Sequence, residues 1–404
     1  MARAKKSDDG GSAALAGAAS PLEAVTAYLT KKKGKEFTNI KVVMNDDTLK
    51  ESLPHISSGS ITIDHLIGGD KNQYGVSPCP GFPRGRVTQV WGHESAGKTT
   101  LCLEAVAQCC ADGGTAVFID WENDIVPDYA AALGVPITDP AKFLLLQPDT
   151  LEDGIKYAMA YATAGVDLII FDSVGAAVPR RIAERDALEV AEQGKVAELQ
   201  SVWSQELPNI KATIARSGTA VVGISQIRAT LATMGKKTQP QGGNAWKFYA
   251  AVRLELRRVQ NEKAREHNVL THKTDERVIG GIIKATAIKC KVSRSQGREE
   301  IFYIRWGEGI DNVRTVIEIA KAHGIIKGSG WMTWADCPDG PLKVQGSEKL
   351  RTHMIKNPEH FEALKARVMP FLGAGTADHF TDEVEEDSAT ASLDAQMSAA
   401  GIDL

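Results

Sequence analysis

No stretch of 18 apolar residues occurs in this chain of 404, so no membrane-spanning helix is expected. None of the six cysteines (Cys79, Cys102, Cys109, Cys110, Cys290, Cys337) stands in a C-x-x-C spacing. They offer no metal-ligand pattern and read as reduced thiols of a cytoplasmic protein. Arg3, Lys5 and Lys6 begin the chain, but Asp8-Asp9-Gly10-Gly11 follows where a secretory signal would carry its apolar core. No internal repeat is found. The net charge of -4 leaves no bulk excess of either sign, so any argument for nucleic acid must rest on local patches. What is present, 43% hydrophobic and 24% charged residues, suits a soluble globular protein of about two or three domains.

One octapeptide dominates. Gly92-His93-Glu94-Ser95-Ala96-Gly97-Lys98-Thr99 fits G-x-x-x-x-G-K-[ST], the phosphate-binding P-loop. Residues 86–91 before it read as a strand, and Thr100 to Cys110 after it as a helix, which is the context the motif needs. Glycines let the backbone wrap a phosphate chain, and the helix N-terminus supplies partial positive charge. Lys98 is placed to reach the terminal phosphates of ATP, and the Thr99 hydroxyl to hold Mg²⁺. The competing reading is a Gly-rich strand–helix turn with an incidental lysine.

Residues 117–120, 143–146, 168–172 and 219–226 are strands with near-continuous hydrophobicity. Alternating with helical stretches, they predict a buried, mostly parallel sheet with helices on both faces. Asp172 ends one of these strands beside the P-loop and is the expected second Mg²⁺ anchor; an ordinary helix N-cap is the bland alternative. Glu122 follows the strand 117–121 and is suited to deprotonate a water attacking the γ-phosphate. Asp120 competes for that role, and the local pattern does not separate the two. Gln226 ends the strand 221–225, where an amide can bond a γ-phosphate and lose that bond on hydrolysis. A buried Gln satisfied by backbone is an equal reading.

The next segment, Arg228 to Asn244, predicts a structureless loop of roughly 17 residues, and such loops are usually functional. It holds Arg228, Lys236 and Lys237, no acidic residue, and closes on Gly242-Gly243-Asn244. Basic side chains with close-approach glycines suit a phosphate backbone. Residues 253–305 hold 13 Lys/Arg against 7 Asp/Glu. Lys289 and Lys291 alternate along an expected strand, so both face one way, onto phosphate or simply onto solvent. Lys31-Lys32-Lys33-Gly34-Lys35 reads as a solvated face or a partner contact.

Together these segments resemble the bacterial and phage RecA recombinases. The resemblance runs from about Ile56 to Asp311 and more loosely through both ends. It rests on Ile56-Ser57-Ser58-Gly59-Ser60, the P-loop through Thr100 and Leu101, Phe118-Ile119-Asp120-Trp121-Glu122 and Leu146-Gln147-Pro148-Asp149-Thr150. Asp172-Ser173-Val174, Ser225-Gln226-Ile227-Arg228, Gly242 to Leu254 and Gly307-Glu308-Gly309-Ile310-Asp311 follow in family order. The resemblance implies that Glu122, not Asp120, is the base. It makes Gln226 the sensor opening a second DNA-binding loop (about 227–244), with a first loop at about 179–195. Met234 stands where an apolar wedge is expected. Tyr129 would stack on adenine, while Lys289 and Lys291 would reach ATP from the neighbouring protomer. Lys247 and Phe248 would couple adjacent subunits.

The implied plan is an N-terminal polymerisation helix and strand within 1–55, a RecA-like α/β core over 56–311, a small C-terminal α/β domain over 312–372 and an acidic tail from 373. The implied activity is a DNA-dependent ATPase using ATP and Mg²⁺. It would form helical filaments on single-stranded DNA and exchange strands with homologous double-stranded DNA. A ring-forming hexameric motor on the same core, and a non-enzymatic protein with a degenerate P-loop, are the alternatives weighed against it. Residues 68–83 form an insertion to which the resemblance gives no role.

Overall fold

The computed structural model describes residues 46–184, 192–229, 238–268 and 273–372. Of the region 1–55 expected to hold the polymerisation helix and strand, residues 1–45 lie outside the described residues, as does the acidic tail from 373. The chain divides into a unit Met1–Lys50, in which a 3-10 turn at Asp46–Leu49 is described, and a second unit, Glu51–Leu404.

In chain order the second unit runs β1 (His55–Ile56), α1 (Ile61–Gly68), β2 (Phe82–Pro83), β3 (Val87–Gly92), α2 (Lys98–Ala111), β4 (Ala116–Asp120) and α3 (Pro127–Ala132). It continues through β5 (Phe143–Leu146), α4 (Leu151–Ala164), β6 (Leu168–Asp172), α5 (Arg180–Ala183), α6 (Glu192–Ser217), β7 (Ala220–Ala229) and β8 (Thr238–Pro240). Then come α7 (Asn244–Tyr249), β9 (Val252–Asn268), β10 (Lys273–Cys290), β11 (Glu299–Arg305) and β12 (Gly309–Ile310). The last elements are α8 (Asn312–Ala322), β13 (Trp331–Trp334), β14 (Leu342–Gln345), α9 (Ser347–Lys356) and α10 (Pro358–Val368).

Among the described residues one ten-stranded sheet carries the fold, in the order β12-β11-β10-β9-β3-β7-β6-β4-β5, with β8 paired to β7. From β9 to β5 the neighbours run parallel; from β9 to β12 they run antiparallel. The hydrophobic runs are continuous because both faces are covered. Phe118, Ile170 and Val222 enter one core with α1 and α2, while Val117, Ile119, Ile169, Phe171 and Val221 enter the other with α4, α6 and α7. Helix starts are fixed by side chains of Ser60, Thr150 and Asp311, which accept from the backbone N–H of Ile63, Asp153 and Arg314. Each such cap contributes about 1 kcal/mol.

Residues after 312 hold a third core, with Ile317, Trp334, Leu350 and Leu364 fully or nearly fully buried. The hairpin β13–β14 joins the three helices there. Arg351 ties this module to the sheet, its Nε 2.5 Å from Asp311 Oδ2 and its Nη2 2.6 Å from Glu308. The 68–83 insertion folds onto the first core. Cys79 and Phe82 are buried, and Asp70 pairs with Arg298 through both guanidinium nitrogens.

Candidate functional site

β3 hands the chain to α2 through the P-loop. Gly97, the residue before α2, has φ +78°, a left-handed conformation that favours glycine; a Cβ there would collide with Ile304. No side chain caps α2, so its first N–H groups are left for an anion. Lys98 is buried, and its Nζ donates to the carbonyls of Gly92 (3.1 Å) and His93 (2.6 Å). Burial holds this ammonium below its ordinary pKa, and the carboxylates of Asp172, Glu122 and Glu94 oppose that shift.

Thr99 Oγ1 donates to Asp172 Oδ2 at 2.8 Å, bringing the two expected Mg²⁺ anchors together across 73 residues of chain. A hydroxyl and a carboxylate are the hard oxygen donors that Mg²⁺ takes. Desolvation raises the Asp172 pKa to about 7, with Glu122 and Asp120 adding to the rise and the Thr99 hydrogen bond lowering it. A buried carboxylate in this state is suited to a cation.

Asp120 is occupied elsewhere. Its Oδ1 accepts from the backbone N–H of Glu122 (3.0 Å) and Asn123 (2.9 Å), and Gln147 Nε2 lies 3.4 Å from its Oδ2. It shapes the turn that carries Glu122. Glu122 Oε1 accepts from Gln226 Nε2 at 2.8 Å and from the Ser173 hydroxyl. Gln226 is therefore partnered by a side chain, not by backbone as the bland reading had it. Tyr129 packs on the first core and its hydroxyl lies 2.9 Å from Thr100 Oγ1, which brings the adenine candidate to the foot of the P-loop.

The expected loops are shorter than sequence suggests. Arg228 lies on β7, whose end pairs with β8, Arg228 opposite Gln239, so the loop narrows to the segment between the two strands. Met234, Lys236 and Lys237 lie outside the described residues, as do residues 185–191 of the first loop, which is described at Pro179–Glu184 and again from Glu192. The close approach of the two glycines is to protein. A Cβ on Gly242 would stand 2.7 Å from Val174, and one on Gly243 2.6 Å from Gln200. Asn244 opens α7 and is exposed.

Lys247 and Phe248 are exposed on α7, Phe248 with 67% of its surface accessible. The simple alternation expected of Lys289 and Lys291 does not hold. β10 ends at Cys290 after a register shift between Ala287 and Lys289, so Lys291 lies just past the strand. Lys289 Nζ turns back to the carbonyls of Lys247 (2.8 Å) and Phe248 (3.1 Å). Desolvation lowers its pKa to about 8, with Lys291, Arg253 and Lys211 adding like charge.

Sequence reasoning missed Ser173 and the rings beneath the site. Phe171 stacks on Trp121 (centroids 5.6 Å apart) and meets the edges of Trp203 (5.6 Å) and Trp246 (6.2 Å). Trp121 precedes Glu122, and Trp246 follows the Gly242-Gly243 pair. The only local signal was their apolar character.

A family model described as the RecA N-terminal domain matches residues 23–311. A protein of Corynebacterium glutamicum (strain R) named Protein RecA is 36% identical over 369 residues, covering 91% of this chain and 89% of its own. Proteins of the same name from Laribacter hongkongensis (35% over 375 residues, 92% and 96%) and Lactiplantibacillus plantarum (33% over 359 residues, 88% and 86%) are similar over comparable spans.

Proposed function

This chain belongs to the RecA family of recombinases, and from that premise we propose that it hydrolyses ATP when bound to single-stranded DNA. With ATP bound between protomers it would form a helical filament that pairs and exchanges homologous strands, and hydrolysis would weaken its hold on DNA. Protomers related by a rotation that does not close make such an open filament. The ring-forming motor finds no support in these matches. Nor is a degenerate P-loop favoured, since Lys98, Thr99, Asp172 and Glu122 stand within one connected site.

The observation that carries the reading is the shared carboxylate. Glu122, the proposed base, and Gln226, the proposed sensor, are hydrogen-bonded to each other at 2.8 Å. Gln226 lies near the end of β7, which leads towards the second DNA loop. A γ-phosphate that drew the amide away would free the carboxylate and move the start of that loop in one event. Lys98 and the open N-terminus of α2 would bind the phosphates, and Tyr129 would cover adenine. Thr99 and Asp172 would hold a magnesium ion, which would supply neutralisation of phosphate charge. Glu122 would then take the proton of the attacking water. Phosphate contacts from both loops would hold the DNA strand. Residues before 56 and after 312 are proposed as a polymerisation arm and a C-terminal domain.

The test is ATP turnover with and without single-stranded DNA at low and raised salt. Strong stimulation that falls with salt is expected. Turnover indifferent to DNA would sink the coupling.

A further inference from the structure

Glu122 is held by two donors of different character, both on its Oε1. Gln226 Nε2 belongs to a long side chain with a second proposed partner. The Ser173 hydroxyl belongs to a fully buried residue on a fixed backbone. On one side of it the Asp172 carbonyl accepts from Trp121 N–H at 2.7 Å; on the other, Val174 N–H donates to the Ile224 carbonyl at 2.8 Å. The Ser173 carbonyl itself accepts from Ala176 N–H at 3.1 Å. These contacts tie Ser173 to β4 and β7 at once, so its hydroxyl has little freedom to leave the carboxylate.

We propose that Ser173 is a positioning residue for hydrolysis, pinning Glu122 by Oε1 once Gln226 has turned away, so that Oε2 stays aimed at the water. The inference rests on the reading of Glu122 as base. The chemistry is that of a single anchored hydrogen bond. One carboxylate oxygen accepts from Ser173, and the lone pairs of the other remain for the water proton. Among the described residues no further side chain donates to this carboxylate, so without the hydroxyl it would swing about its side-chain bonds. Misplacement of a reacting group by about 1 Å costs on the order of 10²-fold in rate. Ser173 follows Asp172 in the chain, but its hydroxyl donates to Glu122 and not to the Asp172 carboxylate, which Thr99 occupies, so loss of that hydroxyl should spare nucleotide binding.

The experiment measures DNA-stimulated ATP turnover and binding of AMP-PNP for the full chain and for Ser173→Ala, Ser173→Thr and Glu122→Gln. For Ser173→Ala, kcat should fall about 10- to 100-fold, with KM and the AMP-PNP dissociation constant changed less than about threefold. Ser173→Thr, which keeps the hydroxyl, should recover most of that loss. An unchanged kcat, a parallel loss of AMP-PNP binding, or a threonine protein no better than alanine would overturn the proposal. If the alanine protein does not fold, Ser173→Cys must show the same loss confined to kcat. Glu122→Gln separates the two readings. Full turnover in that variant refutes the base itself, whereas its collapse beside a fully active Ser173→Ala refutes only the positioning role.

Discussion

Two lysines of this molecule do the same thing in opposite surroundings. Lys98 at the P-loop and Lys289 near the end of β10 each donate to a pair of backbone carbonyls. Each is held below its ordinary pKa chiefly by desolvation. Around Lys98 the charges that follow are Asp172, Glu122 and Glu94, which favour the ammonium. Around Lys289 they are Lys291, Arg253 and Lys211, which disfavour it. The P-loop lysine has its counter-charge inside the chain. Lys289 sits in like charge beside the exposed Phe248, where an anion from outside the chain would be favoured. The P-loop lysine is thus balanced by carboxylates of its own chain, whereas the proposed role of Lys289 is to meet an anion bound on the next protomer.

Lys98→Ala attacks the balanced site and should have the largest effect. Removing it deletes the phosphate contact and leaves Asp172 and Glu122 facing each other without a cation. A loss of about 10³-fold or more in kcat/KM is expected, comparable to or beyond removal of one transition-state donor. Steady-state turnover with saturating single-stranded DNA measures it. Wild-type hydrolysis in this variant would remove the P-loop from the mechanism altogether.

The comparison itself is broken or kept by mixing. If Lys289 acts on a neighbour's nucleotide as proposed, Lys289→Ala should also lose turnover, by about 10- to 100-fold, but only in assembled protein. Lys98→Ala and Lys289→Ala proteins mixed on DNA should then recover activity, since some interfaces pair an intact P-loop with an intact Lys289. Two variants of one self-contained site cannot rescue each other. No recovery on mixing would place both lysines in the same protomer's chemistry.

Phe248→Ala should act more mildly and on assembly alone. An exposed aromatic beside an interface lysine is suited to fill a pocket on its partner, and truncation of such an anchor costs about 2 kcal/mol or more in association. Light scattering on DNA should show a raised critical concentration, while the folding midpoint of the isolated protomer stays within a degree or two. A large fall in that midpoint would mean that Phe248 serves the fold.

The difference between the sites also explains what the sequence made legible. The P-loop, Asp172 and the parallel strands could be read because each is a local pattern. The spacing 92–99 is contiguous, and strands covered on both faces must be apolar throughout. Ser173 could not be read. Its partner Glu122 is 51 residues away and Gln226 is 104 residues from that same carboxylate, joined only because β4, β6 and β7 are neighbours. The turn of Lys289 onto α7 was hidden too, since period-two alternation assumes a strand that β10 ends one residue early. Gly242 and Gly243 were recognised as close-approach positions, but what approaches, Val174 and Gln200, was decided by packing. The resemblance implied an α/β C-terminal domain, but its hairpin β13–β14 could not be placed, because four-residue strands carry too little pattern to stand out among helices.

The smallest expected effect is a proton. Within one protomer desolvation lowers the Lys289 pKa from an ordinary 10.5 to about 8. A base whose pKa is lowered by folding binds fewer protons folded than unfolded between those values, so it adds stability to the free protomer as pH rises through that window. A phosphate from the next protomer would reverse the shift, because an opposite charge favours the ammonium. Assembly with ATP at about pH 9 should therefore take up close to one proton per protomer, and at pH 7, where Lys289 is already charged, none. Calorimetry of assembly in buffers of different ionisation enthalpy reads this directly. Lys289→Met should abolish the uptake, and Lys289→Arg, charged throughout, should abolish it while keeping assembly. Uptake that persisted in both variants would mean that the proton belongs elsewhere and that Lys289 stays on its own carbonyls in the filament.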